Sequence, residues 1–424
     1  MRTYEWKIQV FRICKISKKI TYLIAQFTIQ FSRYSGGEIV TFPPTMRPKN
    51  KRQRSVLAMV LYILLGILLL LVIGFFVYLQ LPVIGGQAKG ERLTRMQSSP
   101  HYREGQFHNI QPTPNLTEGY SMPKVFFDFL TKTVPNQRPA RPIPTVHSDI
   151  HSLQPDQEVV IWFGHSSYFL QLNGVKMLVD PVFSGNASPL PGTAKAFQGA
   201  DAYGPDDFPA LDWLLITHDH YDHLDYVTIR ALKDKVKKVV CGLGVGAHLE
   251  RWGYLPEQIL ELDWYESTHL DPSIELTAWP SRHFSGRTFK RNSTLWCSFL
   301  LRTADQSIYI GGDSGYGVHF ATLKEKYGPV DVAILDNGQY NDAWKAIHML
   351  PEDVLQAGLD LETKVILPVH NSKFSLAPHA WDAPMTSLHA LRQPQHPEIW
   401  SPQIGQIILL RDSLQSFERW WENN

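Results

Sequence analysis

The stretch from residue 56 to 79, VLAMVLYILLGILLLLVIGFFVYL, contains no charged residue. About 20 apolar residues cross the hydrocarbon core of a bilayer. A core helix keeps a polar face, which this run lacks. A secretory signal has a shorter apolar region, about 7–15 residues, closed by small residues of the A-x-A kind, and none follow here. The pattern therefore predicts a single transmembrane helix, with Tyr62 and Tyr78 placed as interfacial aromatics. Arg47, Lys49, Lys51, Arg52 and Arg54 lie close upstream, whereas Lys89, Arg92 and Arg95 lie fewer and further downstream. This asymmetry keeps the N-terminus in the cytoplasm and sends the rest of the chain across the membrane.

Beyond residue 156 the pattern changes to short apolar runs alternating with amphipathic ones. Residues 158–163, 167–172 and 175–180 predict three opening strands, with Asn173-Gly174 as a turn. Helices are expected near 226–235, 319–327 and 351–361, the last beginning Pro351-Glu352-Asp353, a favoured first turn. This alternation points to a layered α/β domain. Four regions follow: 1–45, an extension; 46–80, a basic flank and membrane anchor; 81–155, a Pro/Gln-rich linker partly packed on the domain; and 156–424, the catalytic domain. Residues 7–34 mix Lys/Arg with Ile, Phe and Tyr, as a membrane-surface helix would. The alternative, and our expectation, is that 1–45 is not native and that Met46 is the start. Within the linker, residues 124–130 form a short piece with ordered character.

Composition adds exclusions. The formal net charge is +1, so the basic footprint of a nucleic-acid binder is absent. Hydrophobic content of 44% and charged content of 19% fit a globular chain. Cys14, Cys241 and Cys297 are too few and scattered for a disulfide framework. Cys241 and Cys297 read as buried apolar residues, with a pairing between them left open.

The chemistry lies at the ends of apolar strands. Residues 211–217 lead into His218, residues 274–280 lead three positions on to His283, residues 307–312 lead into Asp313, and residues 364–369 lead into His370. Strand ends can place such side chains together at one rim. In His218-x-His220-x-Asp222-His223 the first two histidines can clasp one metal, while Asp222 and His223 point to a second. Imidazole and carboxylate without thiolate suit Zn first, with Fe or Mn also possible. Asp313 is the candidate shared carboxylate, holding two ions about 3.5–4 Å apart as two-metal hydrolysis requires. His165 reads first as a hydrogen-bonded core histidine, Asp336 as a partner of a ligand at most, and Trp420-Trp421 as packing or a membrane-surface contact.

His218-Asp-His220-Tyr-Asp222-His223 resembles the H-x-H-x-D-H signature of the metallo-β-lactamase superfamily. Gly164-His165-Ser-Ser, Leu178-Val-Asp180-Pro181, His220 to Asp225 and Gly312-Asp313-Ser-Gly-Tyr316 resemble its N-acyl-phosphatidylethanolamine-hydrolysing phospholipase D branch. The resemblance implies an αββα sandwich with two Zn ions: one held by His218, His220 and His283, the other by Asp222, His223 and His370, with Asp313 bridging. It also places His348 where that branch carries a further active-site histidine. That phospholipase is a peripheral membrane protein, so the apolar run is a departure and topology is not carried over. A bound metal lowers the pKa of water to about 7 and screens charge developing in the transition state. Asp222 would orient the nucleophile and His348 would protonate the leaving oxygen.

The expected function is that of a zinc-dependent phosphodiesterase at the cell membrane, single-pass, with its domain on the non-cytoplasmic side and a phospholipid as substrate. Two alternatives stand beside it. One is a lactonase of the same superfamily. The other is a metal-stabilised envelope binding module without turnover.

Overall fold

The structure, a computed structural model, describes residues 51–190, 192–412 and 414–424. The expected N-terminal extension, Cys14 and the start of the basic flank lie outside the described residues. The chain divides into two units, Met1–Phe76 and Val77–Asn424. The apolar run forms α1 (Lys51–Tyr78). It is rich in Leu, Ile and Val and has no proline. Ala58–Tyr78, 21 residues, is the one helix among the described residues long and apolar enough to cross a membrane. The side chains of Val56 and of residues 58–77 are exposed, Tyr62, Leu70 and Leu71 most of all.

The second unit opens with α2 (Gly90–Ser98), a small hairpin of β1 (Tyr102–Arg103) and β2 (Gln106–Phe107), and α3 (Met122–Thr131). Next come β3 (Val159–Trp162), β4 (Tyr168–Leu172), β5 (Val175–Val179), β6 (Leu211–Ile216), α4 (Tyr226–Leu232), β7 (Val236–Gly242), α5 (Gly246–Arg251) and β8 (Ile259–Leu262). The remainder is β9 (Ser267–Asp271), β10 (Ile274–Trp279), β11 (Ser298–Arg302), β12 (Ser307–Ile310), α6 (His319–Tyr327), β13 (Val332–Asp336), α7 (Pro351–Asp360), β14 (Val365–Val369), α8 (Ala383–Leu391), β15 (Glu398–Ile399) and β16 (Ile407–Leu409).

These strands make two seven-stranded sheets, ordered β16-β3-β4-β5-β6-β7-β8 and β15-β14-β13-β12-β11-β10-β9. Both are mixed: β5 to β8 run parallel in the first, and β12 to β15 in the second. The inner faces meet in one core, where Val160, Leu170, Met177 and Leu215 join Leu276, Phe299, Ile310 and Leu367. The outer face of the first sheet packs Ile161, Leu214 and Val239 against Ile229, Leu232 and Leu249 of α4 and α5. The outer face of the second packs Leu300, Ala333 and Leu335 against Phe320, Leu355 and Leu388 of α6 to α8. Strands covered on both faces carry continuous apolar runs, as β3 and β14 do, and as β13 does up to Asp336. The architecture is therefore the expected αββα sandwich.

Local differences have physical causes. The helix expected over 226–235 ends at Leu232, because Leu211 N donates to Lys235 O and draws the chain into the sheet. The short piece at 124–130 lies within α3, whose Met122, Phe126, Phe127 and Phe129 are exposed. Cys241 and Cys297 are buried free thiols, and Trp420 and Trp421 are buried.

Candidate metal centre

The C-terminal ends of β5, β6, β10, β12, β13 and β14 are followed by Asp180, His218, His283, Asp313, Asp336 and His370, or end on them. The loop after β6 turns tightly, with His223 N and Leu224 N both donating to His220 O. Asp225 then caps α4 by accepting from Val227 N and Thr228 N. This fixes the exit of the loop. Left-handed backbone at His165 (φ 53°), Asp180 (φ 42°) and His370 (φ 66°) marks strained positions around the same point. Gly312 (φ +59°) precedes Asp313, and a Cβ there would lie 3.0 Å from Thr217 Cβ.

All seven expected ligand residues converge. Potential ligand atoms of His218, His220, His283 and Asp313 lie within 4.8 Å of one another, as do those of His165, Asp222, His223 and His370. In the first group His220 Nδ1 faces His218 Nε2 at 2.9 Å and His283 Nε2 at 3.2 Å. Three nitrogens bound tetrahedrally at about 2.0–2.1 Å from one zinc would be about 3.3 Å apart. Asp313 lies between the groups, with Oδ1 3.2 Å from His223 Nε2 and Oδ2 3.3 Å from His370 Nε2. Its Oδ2 is also 3.7 Å from His283 Nε2 and 3.8 Å from His218 Nε2. His223 Nε2 and Asp313 Oδ1 are buried and, although close, make no well-directed hydrogen bond. Buried polar atoms without partners call for an explanation. A set of inward-facing imidazole nitrogens and carboxylate oxygens fits divalent ions.

The outer nitrogens of the rings are held. His223 donates Nδ1–H to Asp180 Oδ2 (2.8 Å), His370 to Asp336 Oδ1 (3.0 Å) and His283 to Ile347 O (2.9 Å). Thr217 Oγ1 donates to Asp180 and lies 3.0 Å from His218 Nδ1. These contacts turn the remaining nitrogens into the cavity. Burial, joined by neighbouring histidines, holds His218 and His283 well below the usual imidazole range, favouring neutral ligands. Burial also acts to raise Asp222 and Asp313, yet the surrounding histidines hold both well below the carboxylate range. Against burial, Asp313 and Asp336 push His370 up to about 10. The field is therefore one that favours a cation.

His348 joins the cluster from the loop before α7. Its Nδ1 is 2.8 Å from Asp336 Oδ2, and its ring lies 5.0 Å from that of His283. Asp336 thus serves two histidines. His165 makes a specific contact, with Nε2 2.8 Å from Asp222 Oδ2, and burial lowers its pKa to about 3.

Other contributors carry no strand-end signature. Asp219 accepts from Gly286 N, His248 Nε2 and Thr294 Oγ1, which brace the loop from behind. The guanidinium of buried Arg287 donates to Asp219 O, Leu224 O and Val83 O and stacks 4.0 Å from the Tyr221 ring centroid. Asn109, in the expected linker, binds the backbone of His283.

Residues 176–371 match the beta-lactamase superfamily domain. An uncharacterized protein of Mycobacterium tuberculosis is 37% identical over 339 residues, covering 77% of this chain and 88% of its own length. Outer membrane protein RomA of Klebsiella pneumoniae is 56% identical over 91 residues, 22% of this chain and 69% of that protein. The mitochondrial N-acyl-phosphatidylethanolamine-hydrolyzing phospholipase D of Saccharomyces cerevisiae is 30% identical over 247 residues, 55% of this chain and 51% of that enzyme. Two facing sheets with helices outside, histidines and aspartates gathered at their rim, and a relative matched over most of its length together show that the chain belongs to the metallo-β-lactamase superfamily.

Proposed function

We propose that this protein is a membrane-anchored binuclear metal-dependent phosphodiesterase that cleaves N-acyl-phosphatidylethanolamine-like phospholipids in the manner of a phospholipase D. The observation that carries the reading is the convergence of His218, His220 and His283 on one side, and Asp222, His223 and His370 on the other, around Asp313. We assign the two groups as the ligands of two ions, zinc first, with Asp313 bridging. The lipid substrate is supported by the similarity to the yeast enzyme, by the apolar α1 and by the exposed phenylalanines of α3. Thr117 N, just before α3, donates to Ala343 O, five residues before His348. The basic flank supports an N-terminus in the cytoplasm and a catalytic unit on the non-cytoplasmic side.

Two divalent ions, when bound, supply Lewis acidity and activate water. Asp222, partly exposed and held by His165, orients the attacking water. A new bond forms between water oxygen and phosphorus, and the bond from phosphorus to the ethanolamine oxygen breaks. His348, held by Asp336, gives a proton to that leaving oxygen and regains one from the proton the attacking water releases, so the products are phosphatidic acid and an N-acylethanolamine.

The test is metal analysis of the full chain in lipid nanodiscs, followed by assay on N-acyl-phosphatidylethanolamine, a soluble phosphodiester and a lactone. Two equivalents of metal and phosphodiester cleavage, abolished by Asp222→Asn, are expected. Lactone turnover alone would establish the lactonase. Metal without any turnover would establish a binding module.

A further inference from the structure

The segment between α1 and β3 reads as a linker, yet one of its side chains reaches the metal centre. Asn109 Nδ2 donates to His283 O (2.7 Å), and His283 N donates to Asn109 Oδ1 (3.2 Å). The amide thus pairs both backbone polar groups of a residue only 1% exposed. No other partner for these two groups exists among the described residues. β10 has ended at Trp279, so His283 has no strand neighbour to supply them. Buried backbone groups are seldom left unpaired, and among side chains a primary amide can donate and accept in this way. Asn109 is itself pinned on both sides. Before it, buried Phe107 donates its N–H to Asn292 O (2.8 Å). After it, Arg282 donates to Pro112 O (3.0 Å) and to Thr113 Oγ1 (3.1 Å).

We propose that Asn109 is a positioning residue that fixes the backbone of His283, so that the ion held by His218, His220 and His283 depends on the segment between α1 and β3. The inference rests on the ligand assignment proposed above. The ring of His283 is oriented by Ile347 O and its main chain by Asn109. Removing the amide frees the main chain to shift. Nε2 then moves relative to its two partner nitrogens, while Asp222, His223 and His370 keep their own supports.

The experiment loads the full chain in nanodiscs with Co2+ and strips it with increasing chelator, following the ligand-field absorption of each equivalent. Asn109→Ala is compared with wild type and with Thr113→Ala, which loosens the same segment through Arg282 without touching a ligand. In Asn109→Ala one equivalent is expected to leave at about 10–100-fold lower chelator, the usual effect of losing a group that orients a ligand. Its absorption bands should shift, and the second equivalent should behave as in wild type. Stripping identical to wild type would overturn the proposal. So would loss of both equivalents together with an equal fall in the melting temperature of the metal-free protein, which marks a general packing role. An equal effect of Thr113→Ala would assign the effect to the segment and overturn the role of Asn109. Wild type that takes up no cobalt would instead overturn the ligand assignment, and the inference with it.

Discussion

At the residue scale, two buried carboxylates divide the support of the centre unequally. Asp180 supports one proposed ligand, His223, directly and reaches a second, His218, through Thr217. Asp336 serves His370 and also His348, the proposed proton donor. Asp180→Asn should therefore weaken metal retention about 10–100-fold while activity returns when excess metal is supplied. Asp336→Asn should lower metal retention similarly, but excess metal should leave kcat depressed, because His348 has lost its acceptor. Chelator titration beside kcat at saturating metal separates the two, and full recovery of the Asp336 variant would remove the role given to His348. A third carboxylate, Asp219, sits inside the motif but pairs with His248, Thr294 and Gly286. The motif thus carries its own brace. Spacing made Asp222 and His223 visible in sequence, whereas the pairing of Asp219 is set by partners distant in the chain.

At the element scale, α2 shows how the segment before the sandwich is fastened. Arg92 reaches Glu261 Oε2 at 2.7 Å and Glu250 at 2.8 Å, while Glu261 also accepts from Gly244 N and Gly246 N. Arg92→Met leaves Glu261 buried with one charged partner fewer and should cost about 2 kcal/mol in urea unfolding at pH 7. The hydrogen bond to Arg92 holds Glu250 below the usual glutamate range. A depressed folded pKa contributes stability above the unfolded value, lost as pH falls through the folded one. The wild-type advantage over Arg92→Met should therefore shrink on acidification below the ordinary glutamate pKa, and an advantage unchanged in acid would refute the pair's contribution. The same element explains what was legible. Strands ending in a histidine or aspartate announce themselves because apolar runs and ligand types are local patterns. Arg92, His248 and Asn109 act through partners far away in sequence, Asn109 across 174 positions, and several of those partners are backbone atoms that no residue pattern marks. The Pro/Gln-rich composition of 81–155 says nothing about how many hydrogen bonds the segment makes.

At the scale of the whole molecule, the residues that follow α1 are fastened within the second unit by hydrogen bonds to α5 and to Arg287. Directly after α1, Arg251 donates to Gln80 O and Gly85 O, Trp252 Nε1 to Pro82 O and Arg287 to Val83 O, while Gly86 N donates to His248 Nδ1. His248 and Arg287 are also the residues that hold Asp219 and the loop of His218 to His223. Two truncations separate anchoring from bracing. A chain starting at Leu79 keeps every one of these bonds and Asn109. It should hold two ions and cleave a soluble phosphodiester at a rate within about twofold of the full chain. On phospholipid vesicles it should fall about 10²-fold or more at dilute protein, because tethering raises the effective concentration of a site at its surface by that order. A chain starting at residue 114 loses the bonds from 80–86 and the amide at His283, and should retain at most the ion held by Asp222, His223 and His370. If the chain starting at Leu79 also fails on the soluble substrate, the apolar helix has a structural part in the catalytic unit; if the chain starting at residue 114 keeps both ions, the segment is a tether and nothing more. The two substrates and the metal count decide between these, since anchoring acts only on encounter with lipid and bracing acts on the site itself.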